Sequence, residues 1–164
     1  MKKEKFDVVI LAGGKGTRIK KFIKNLPKPL IKIGKISFLD ILIQNITKYN
    51  VNKIYICAGY KGKLIKKKYH KKKINLIDIE CVIEKIPLGT GGCLSLIKNK
   101  VSKNFFIVNG DTFFDLDLND IYYKNKNNNK IHISLSNSNT YKENKKLTKL
   151  SLNKKKQIII NSYL

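Results

Sequence analysis

A β-branched apolar run, Val8-Val9-Ile10, breaks off into Leu11-Ala-Gly-Gly-Lys-Gly-Thr-Arg18. This junction restricts the fold more than any other part of the sequence. A strand without polar alternation is shielded on both faces, which belongs to parallel sheets covered by helices. Three of the next residues, Gly13, Gly14 and Gly16, carry no side chain, so backbone N–H groups can come close to a ligand. Lys15 and Arg18 add positive charge and Thr17 adds a hydroxyl. Bare amides joined to cations at a strand end suit a phosphate. A plain glycine turn would leave Arg18 unexplained. A Walker A loop does not fit, because Gly16 follows Lys15 where that loop needs Ser or Thr. A dinucleotide fingerprint does not fit either, because Ile19 stands at its third glycine.

Strand-like and helix-like segments alternate along the rest of the chain. Residues 6–11, 53–58, 77–83 and 104–109 read as strands. Residues 37–49 read as an amphipathic helix, with Phe38, Ile41, Leu42 and Ile46 on one face and Ser37 as its cap. Helices are also expected over 61–69, 91–98 and 117–124. Residues 124–130 form a polar low-complexity loop, and 131–135, 147–152 and 157–160 read as strands, the last two as a hairpin. The alternation predicts an α/β fold in a single domain over 1–164: a Rossmann-like, open, mostly parallel sheet with helices on both faces. Ligands in such sheets bind at the carboxyl ends of the strands. Three unusual segments fall there: 11–18, 84–92 and Gly110-Asp111.

The formal charge of +24 invites a nucleic-acid reading. Against it, Arg18 is the sole arginine, and the lysines are spread along the chain. Lys, Asn and Ile make up nearly half the residues, the bias of an AT-rich coding sequence. Base and phosphate recognition favours the planar fork of arginine, so no specific nucleic-acid partner is expected. Cys57, Cys81 and Cys93 form no C-x-x-C motif, and the first two fall in strand-like runs. Buried reduced thiols in a reducing compartment are the expectation. No segment approaches the length of a membrane span, so the chain is expected in the cytoplasm with no membrane partner.

Each unusual segment carries a candidate group. Lys28 is flanked by Pro27 and Pro29, which fix the backbone around it. It is either a solvated lysine or one aimed at the phosphate loop. Glu84 precedes the run Lys-Ile-Pro-Leu-Gly-Thr-Gly-Gly92. It is either an ordinary surface acid or part of a wall around a flat polar ligand such as a nucleobase. Asp111 ends the fourth strand, either capping the next turn or holding a hard cation such as Mg²⁺ together with substrate phosphates. Asp115, Asp117 and Asp120 match no calcium loop and read as turn and cap residues.

In order and spacing, these segments resemble the sugar-phosphate nucleotidylyltransferases, or NDP-sugar pyrophosphorylases, over about residues 7–117. Pro87-Leu-Gly-Thr-Gly-Gly92 and Asn109-Gly-Asp-Thr-Phe-Phe-Asp115 look most like the D-glycero-D-manno-heptose 1-phosphate guanylyltransferases, with mannose-1-phosphate guanylyltransferases next. The resemblance implies a GT-A-like nucleotidyltransferase fold. It also implies a reaction in which a sugar 1-phosphate attacks the α-phosphorus of a nucleoside triphosphate, giving an NDP-sugar and pyrophosphate. By the same resemblance, Arg18, Lys28 and Asp111 are the catalytic residues, and Asp111 holds Mg²⁺. The nucleotide would rest on Leu11, Ala12, Gly13, Gly14, Gly16 and Thr17, with Arg18, Lys28, Glu84, Pro87, Gly89, Thr90 and Gly110. Glu84 takes the position at which the family reads the base edge. A carboxylate accepts the adjacent N1–H and N2–H donors of guanine together, which favours GTP over dTTP or UTP. The product would feed lipopolysaccharide, capsule or other glycan assembly. The family's downstream Glu-Lys pair at the sugar and second Asp at the metal have no counterpart: no Glu follows Glu143 and no Asp follows Asp120. The expectation is therefore a C-terminally truncated domain with its sugar-binding part largely missing. A catalytically incomplete nucleotide-binding fragment or regulatory module is the alternative to an enzyme.

Overall fold

The structure is a computed structural model that describes residues 4–17, 25–127, 131–133, 149–152 and 158–161. The chain divides into two compact units, Met1–Asn128 and Asn129–Leu164.

The first unit runs β1 (Phe6–Ala12), the two-residue strands β2 (Lys32–Ile33) and β3 (Ile36–Ser37), α1 (Phe38–Ile46), β4 (Val51–Ala58) and α2 (Gly62–Tyr69). It continues with β5 (Lys72–Ile74), β6 (Ile77–Ile83), the single turn α3 (Gly89–Gly92), β7 (Phe105–Asn109) and α4 (Leu118–Asn125). Five strands form one sheet in the order β5-β6-β4-β1-β7. β1, β4, β6 and β7 are parallel, and β5 pairs antiparallel with β6. This is the mostly parallel sheet that the alternation predicts.

The apolar run of β1 is explained by its place between β4 and β7. Val8, Ile10 and Ala12 face one core with Ile54, Ile56 and Ala58, under Leu39, Leu42, Ile43 and Ile46 of α1, Ile65 and Tyr69 of α2, and Leu118 and Tyr122 of α4. Val9 faces the other way and meets Tyr55, Cys57, Cys93 and Ile97. The first face is thus covered by three helices and the second by the 3-10 turn Cys93–Leu96 and by Ile97 and Val101 after it.

Several elements differ from the sequence reading. α1 buries Leu39, Leu42, Ile43 and Ile46, while Phe38 and Ile41 are half-buried. Apolar residues occupy so many positions of this helix that periodicity alone does not select its face. The helix stops at Ile46, not 49, because the N–H groups of Lys48 and Tyr49 turn back to Asn45 and Ile46. The expected helix over 91–98 is one α-turn and one 3-10 turn, since Gly89, Gly91 and Gly92 lose too much backbone freedom to hold a longer helix. β5 had no strand signal; it forms because Asn75 and Leu76 both take left-handed backbone (φ 48° and 66°), the demand of a two-residue hairpin turn. Residues 131–133 are not in a strand, and 134–135 lie outside the described residues. In the second unit, β8 (Lys149–Leu152) and β9 (Ile158–Asn161) pair antiparallel, as the hairpin reading expects.

Ser37 caps α1 through a capping box with Asp40. The same carboxylate joins α1 to α2. Its Oδ2 accepts from Lys68 Nζ at 2.5 Å and its Oδ1 from the Tyr69 hydroxyl at 2.7 Å. Cys57, Cys81 and Cys93 are all buried. Among the described residues, no helix is long and apolar enough to cross a membrane.

Candidate active site

The carboxyl ends of the parallel strands surround a cleft of about 540 Å³. Three strand exits meet there at backbone distance. Tyr60 N–H donates to the Gly13 carbonyl at 3.1 Å, and Gly110 N–H donates to the Leu11 carbonyl at 2.8 Å. A Cβ at Gly59 would lie 2.8 Å from the Gly13 oxygen, and one at Gly110 would lie 2.9 Å from the Leu11 oxygen. Glycine at these two positions is what lets the β4 and β7 exits close on the β1 loop.

The loop itself turns at Gly16, whose φ of 61° is left-handed. Among the described residues, nothing accepts a backbone hydrogen bond from the N–H groups of Gly14, Lys15, Gly16 or Thr17. A row of amides at a strand tip, with no backbone acceptor among the described residues, can cradle an anion.

Glu84 leaves β6 with its N–H on the Ala58 carbonyl at 2.9 Å. Its Oε2 accepts from Leu88 N–H at 3.2 Å, and a Cβ at Gly13 would fall 2.8 Å from its Oε1. The carboxylate therefore rests against the glycine loop. Pro87 and Gly89 continue this wall, and Thr90 falls in the turn of α3.

Lys28 enters from the 3-10 turn Lys28–Leu30 that precedes β2. Pro27 and Pro29 are buried, and a 3-10 turn holds the backbone, with Leu30 N–H on Pro27 and Ile31 N–H on Lys28. Its Nζ lies 2.5 Å from Asp111 Oδ2, and Thr112 Oγ1 donates to Asp111 Oδ1 at 3.3 Å. The pair joins residues 83 positions apart in sequence.

Leu11, Ala12, Gly13, Gly14, Gly16, Thr17, Lys28, Glu84, Pro87, Gly89 and Asp111 all line this cleft, and Gly110 lies against Leu11 beside it. Arg18 lies outside the described residues. The lining also includes Lys15, the loop cation read from the sequence, and Pro29, Cys57, Cys93 and Asn109, for which the sequence suggested no ligand-binding role. Cys57 and Asn109 lie at the carboxyl ends of β4 and β7, so strand-end position was the signal that could have found them. Burial pushes the Cys57 thiol up to about 12, so it faces the cleft uncharged and is no nucleophile at neutral pH. Asp117 caps α4 by accepting from Asn119 and Asp120 N–H groups, the cap role read for it.

Residues 7–146 match the nucleotidyl transferase family. The chain belongs to that family. It is 37% identical over 133 residues to D-glycero-alpha-D-manno-heptose 1-phosphate guanylyltransferase of Campylobacter jejuni, covering 81% of this chain and 58% of that protein. Against the protein of the same name from Aneurinibacillus thermoaerophilus the identity is 33%, over 71% of this chain and 50% of that one. The structure of HddC from Yersinia pseudotuberculosis superposes with a TM-score of 0.65 at 34% identity, covering 73% of this chain and 53% of that one. HddC has also been solved complexed with GMP-PN. The chain thus spans about half the length of the relatives it matches.

Proposed function

We propose that this chain is the nucleotide-binding part of a guanylyltransferase that joins a sugar 1-phosphate of heptose or mannose type to GTP. The observation that carries this reading is the meeting of Lys28 and Asp111 in the cleft that the glycine loop and Glu84 also line. The names of the relatives, and the GMP-PN bound to HddC, support a guanine nucleotide.

In the proposed reaction a phosphate oxygen of the sugar 1-phosphate bonds to the α-phosphorus of GTP. The bond from that phosphorus to the β-bridging oxygen breaks, and pyrophosphate leaves with the electron pair. Such transfer needs alignment and charge neutralisation and no covalent protein intermediate. The amides of Gly14, Gly16 and Thr17 would take phosphate oxygens, and Lys28 would follow the charge that develops on the leaving group. Arg18, which follows Thr17 in sequence, would add a second cation. The Glu84 carboxylate would accept the paired donors on the guanine edge.

Mg²⁺ fits Asp111 by the chemistry of the donors. Asp111 Oδ2 already holds a cation, the Lys28 ammonium. Among the described residues no three His, Cys, Asp or Glu side chains gather to hold a metal alone. An ion carried largely by nucleotide phosphates and anchored by one carboxylate meets both facts. When bound, it would neutralise phosphate charge. Consumption of GTP would place the reaction in the cytoplasm, and the GDP-sugar would serve as a donor for lipopolysaccharide or capsule assembly.

Pyrophosphate release from GTP with heptose 1-phosphate or mannose 1-phosphate is the expected result. GTP binding without release would make the chain a nucleotide-binding module instead. Glu84→Gln should lower kcat/KM for GTP by about tenfold and shrink its advantage over dTTP and UTP. An unchanged base preference would remove Glu84 from base reading.

A further inference from the structure

We infer that Lys28 is a resident counter-ion that competes with divalent metal for Asp111, so that the cleft takes metal with or after the nucleotide and not before it. The inference rests on the site reading above and extends it to the order in which ligands enter.

The geometry is that of a cation already in place. The Lys28 ammonium lies 2.5 Å from Asp111 Oδ2. Asp111 Oδ1 faces the Thr112 hydroxyl at 3.3 Å. A second cation on this carboxylate would sit beside the ammonium and be repelled by it. The ammonium is a compact point charge with three donors, so it satisfies a carboxylate oxygen much as a small metal ion would.

The lysine can also leave without a change of fold. Its backbone is fixed by the buried prolines and the 3-10 turn, so only its flexible stem has to swing. The glycine loop and Lys28 line the same cleft. Phosphates lying on the loop amides would offer the ammonium several anionic oxygens in exchange for one carboxylate. Asp111 would then be open to the ion that the phosphates bring. The same ammonium would serve first as a guard on Asp111 and then as a phosphate ligand.

The test reads Mn²⁺ binding without nucleotide, from the loss of the free-ion electron paramagnetic resonance signal. Lys28→Met should bind Mn²⁺ about tenfold more tightly than the wild type, a change of ~1.4 kcal/mol. Lys35→Met, which removes an exposed lysine between β2 and β3, should bind as the wild type does and so controls for the general loss of one charge. Lys28→Met combined with Asp111→Asn should lose the gain. Equal affinity in the wild type and Lys28→Met would overturn the inference, and so would a gain that survives Asp111→Asn. Lys28→Gln gives the same reading should Lys28→Met fold poorly. A separate titration with GTP keeps the two proposals apart: failure to bind GTP, with the Mn²⁺ gain intact, would count against the nucleotide reading alone.

Discussion

Two lysine–aspartate pairs in this molecule have the same length and opposite surroundings. At the junction of α1 and α2, Lys68 Nζ lies 2.5 Å from Asp40 Oδ2. In the cleft, Lys28 Nζ lies 2.5 Å from Asp111 Oδ2. The Asp40 side chain is 19% exposed and also accepts from the Ser37 N–H, the Ser37 hydroxyl and the Tyr69 hydroxyl. The Asp111 side chain is 39% exposed, and among the described residues it has Lys28 and the hydroxyl of its neighbour Thr112. Separation therefore does not distinguish a structural pair from one proposed to act on a ligand. Saturation and access do: Asp40 is held by donors from three other residues on two elements, whereas Asp111 keeps lone pairs open to a cleft and has one mobile partner.

Removing each carboxylate should break the comparison along this line. Asp111→Asn should lower the rate of nucleotidyl transfer by about a hundredfold or more, ~2.7 kcal/mol of barrier, because it removes a charge that acts at the phosphates. Its urea midpoint should barely move, since half-exposed ion pairs contribute ~0–1 kcal/mol. Asp40→Asn should do the reverse. It leaves several donors unmatched at a helix junction and should cost about 2 kcal/mol of stability, with GTP affinity unchanged. Equal stability losses in the two variants would show that the pairs are not different in kind.

The pH dependence sharpens the same contrast. Burial pushes the Asp40 carboxyl up, but hydrogen bonds from Lys68, Ser37 and Tyr69 outweigh it and hold the group at about 2, against an ordinary 3.8. A group lowered in the folded state adds stability above its unfolded value and loses it as pH falls through its folded value. The contribution of Asp40 should therefore be complete above about pH 4 and fade toward pH 2, a loss of about 2 kcal/mol. Urea unfolding at pH 5 and pH 2 should show this component in the wild type and not in Asp40→Asn.

What the sequence revealed follows from which forces are local. β6 was readable residue for residue from the alternation of Ile77, Ile79 and Cys81 with Asp78 and Glu80, and β1 and β4 nearly so from their apolar runs over 8–11 and 54–58, shielded between parallel neighbours. That the glycine loop, Glu84 and Asp111 would meet in one cleft was readable because such sheets gather their loops at the carboxyl ends of the strands. The face of α1 was not, since Phe38, Leu39, Ile41, Leu42 and Ile43 all qualify and only the sheet beneath decides. β5 was hidden because Lys72 and Lys73 have low strand preference, and its pairing depends on two left-handed residues, one of them Leu76. The contact of Lys28 with Asp111 and the tight fit of Gly59 against Gly13 join distant parts of the chain. No local pattern records them.

Glu84 stands between the two aspartates in its surroundings, and Gly13 is the means to test it. The carboxylate is held at one oxygen by Leu88 N–H at 3.2 Å, while its other oxygen lies where a Gly13 side chain would begin. Gly13→Ala would place a Cβ 2.8 Å from that oxygen, so one of the two must move. The carboxylate is the end of a flexible side chain, so it should yield while the backbone stays. Stability should then fall by less than about 1 kcal/mol, whereas GTP affinity should drop about tenfold because the base-reading group has been displaced. Gly14→Ala, which meets nothing within 4 Å of protein, should leave stability unchanged. Calorimetric titration with GTP and urea unfolding of the two variants measure the difference. Wild-type GTP affinity in Gly13→Ala would mean that Glu84 either does not move or does not read the base, and Glu84→Gln separates those two outcomes.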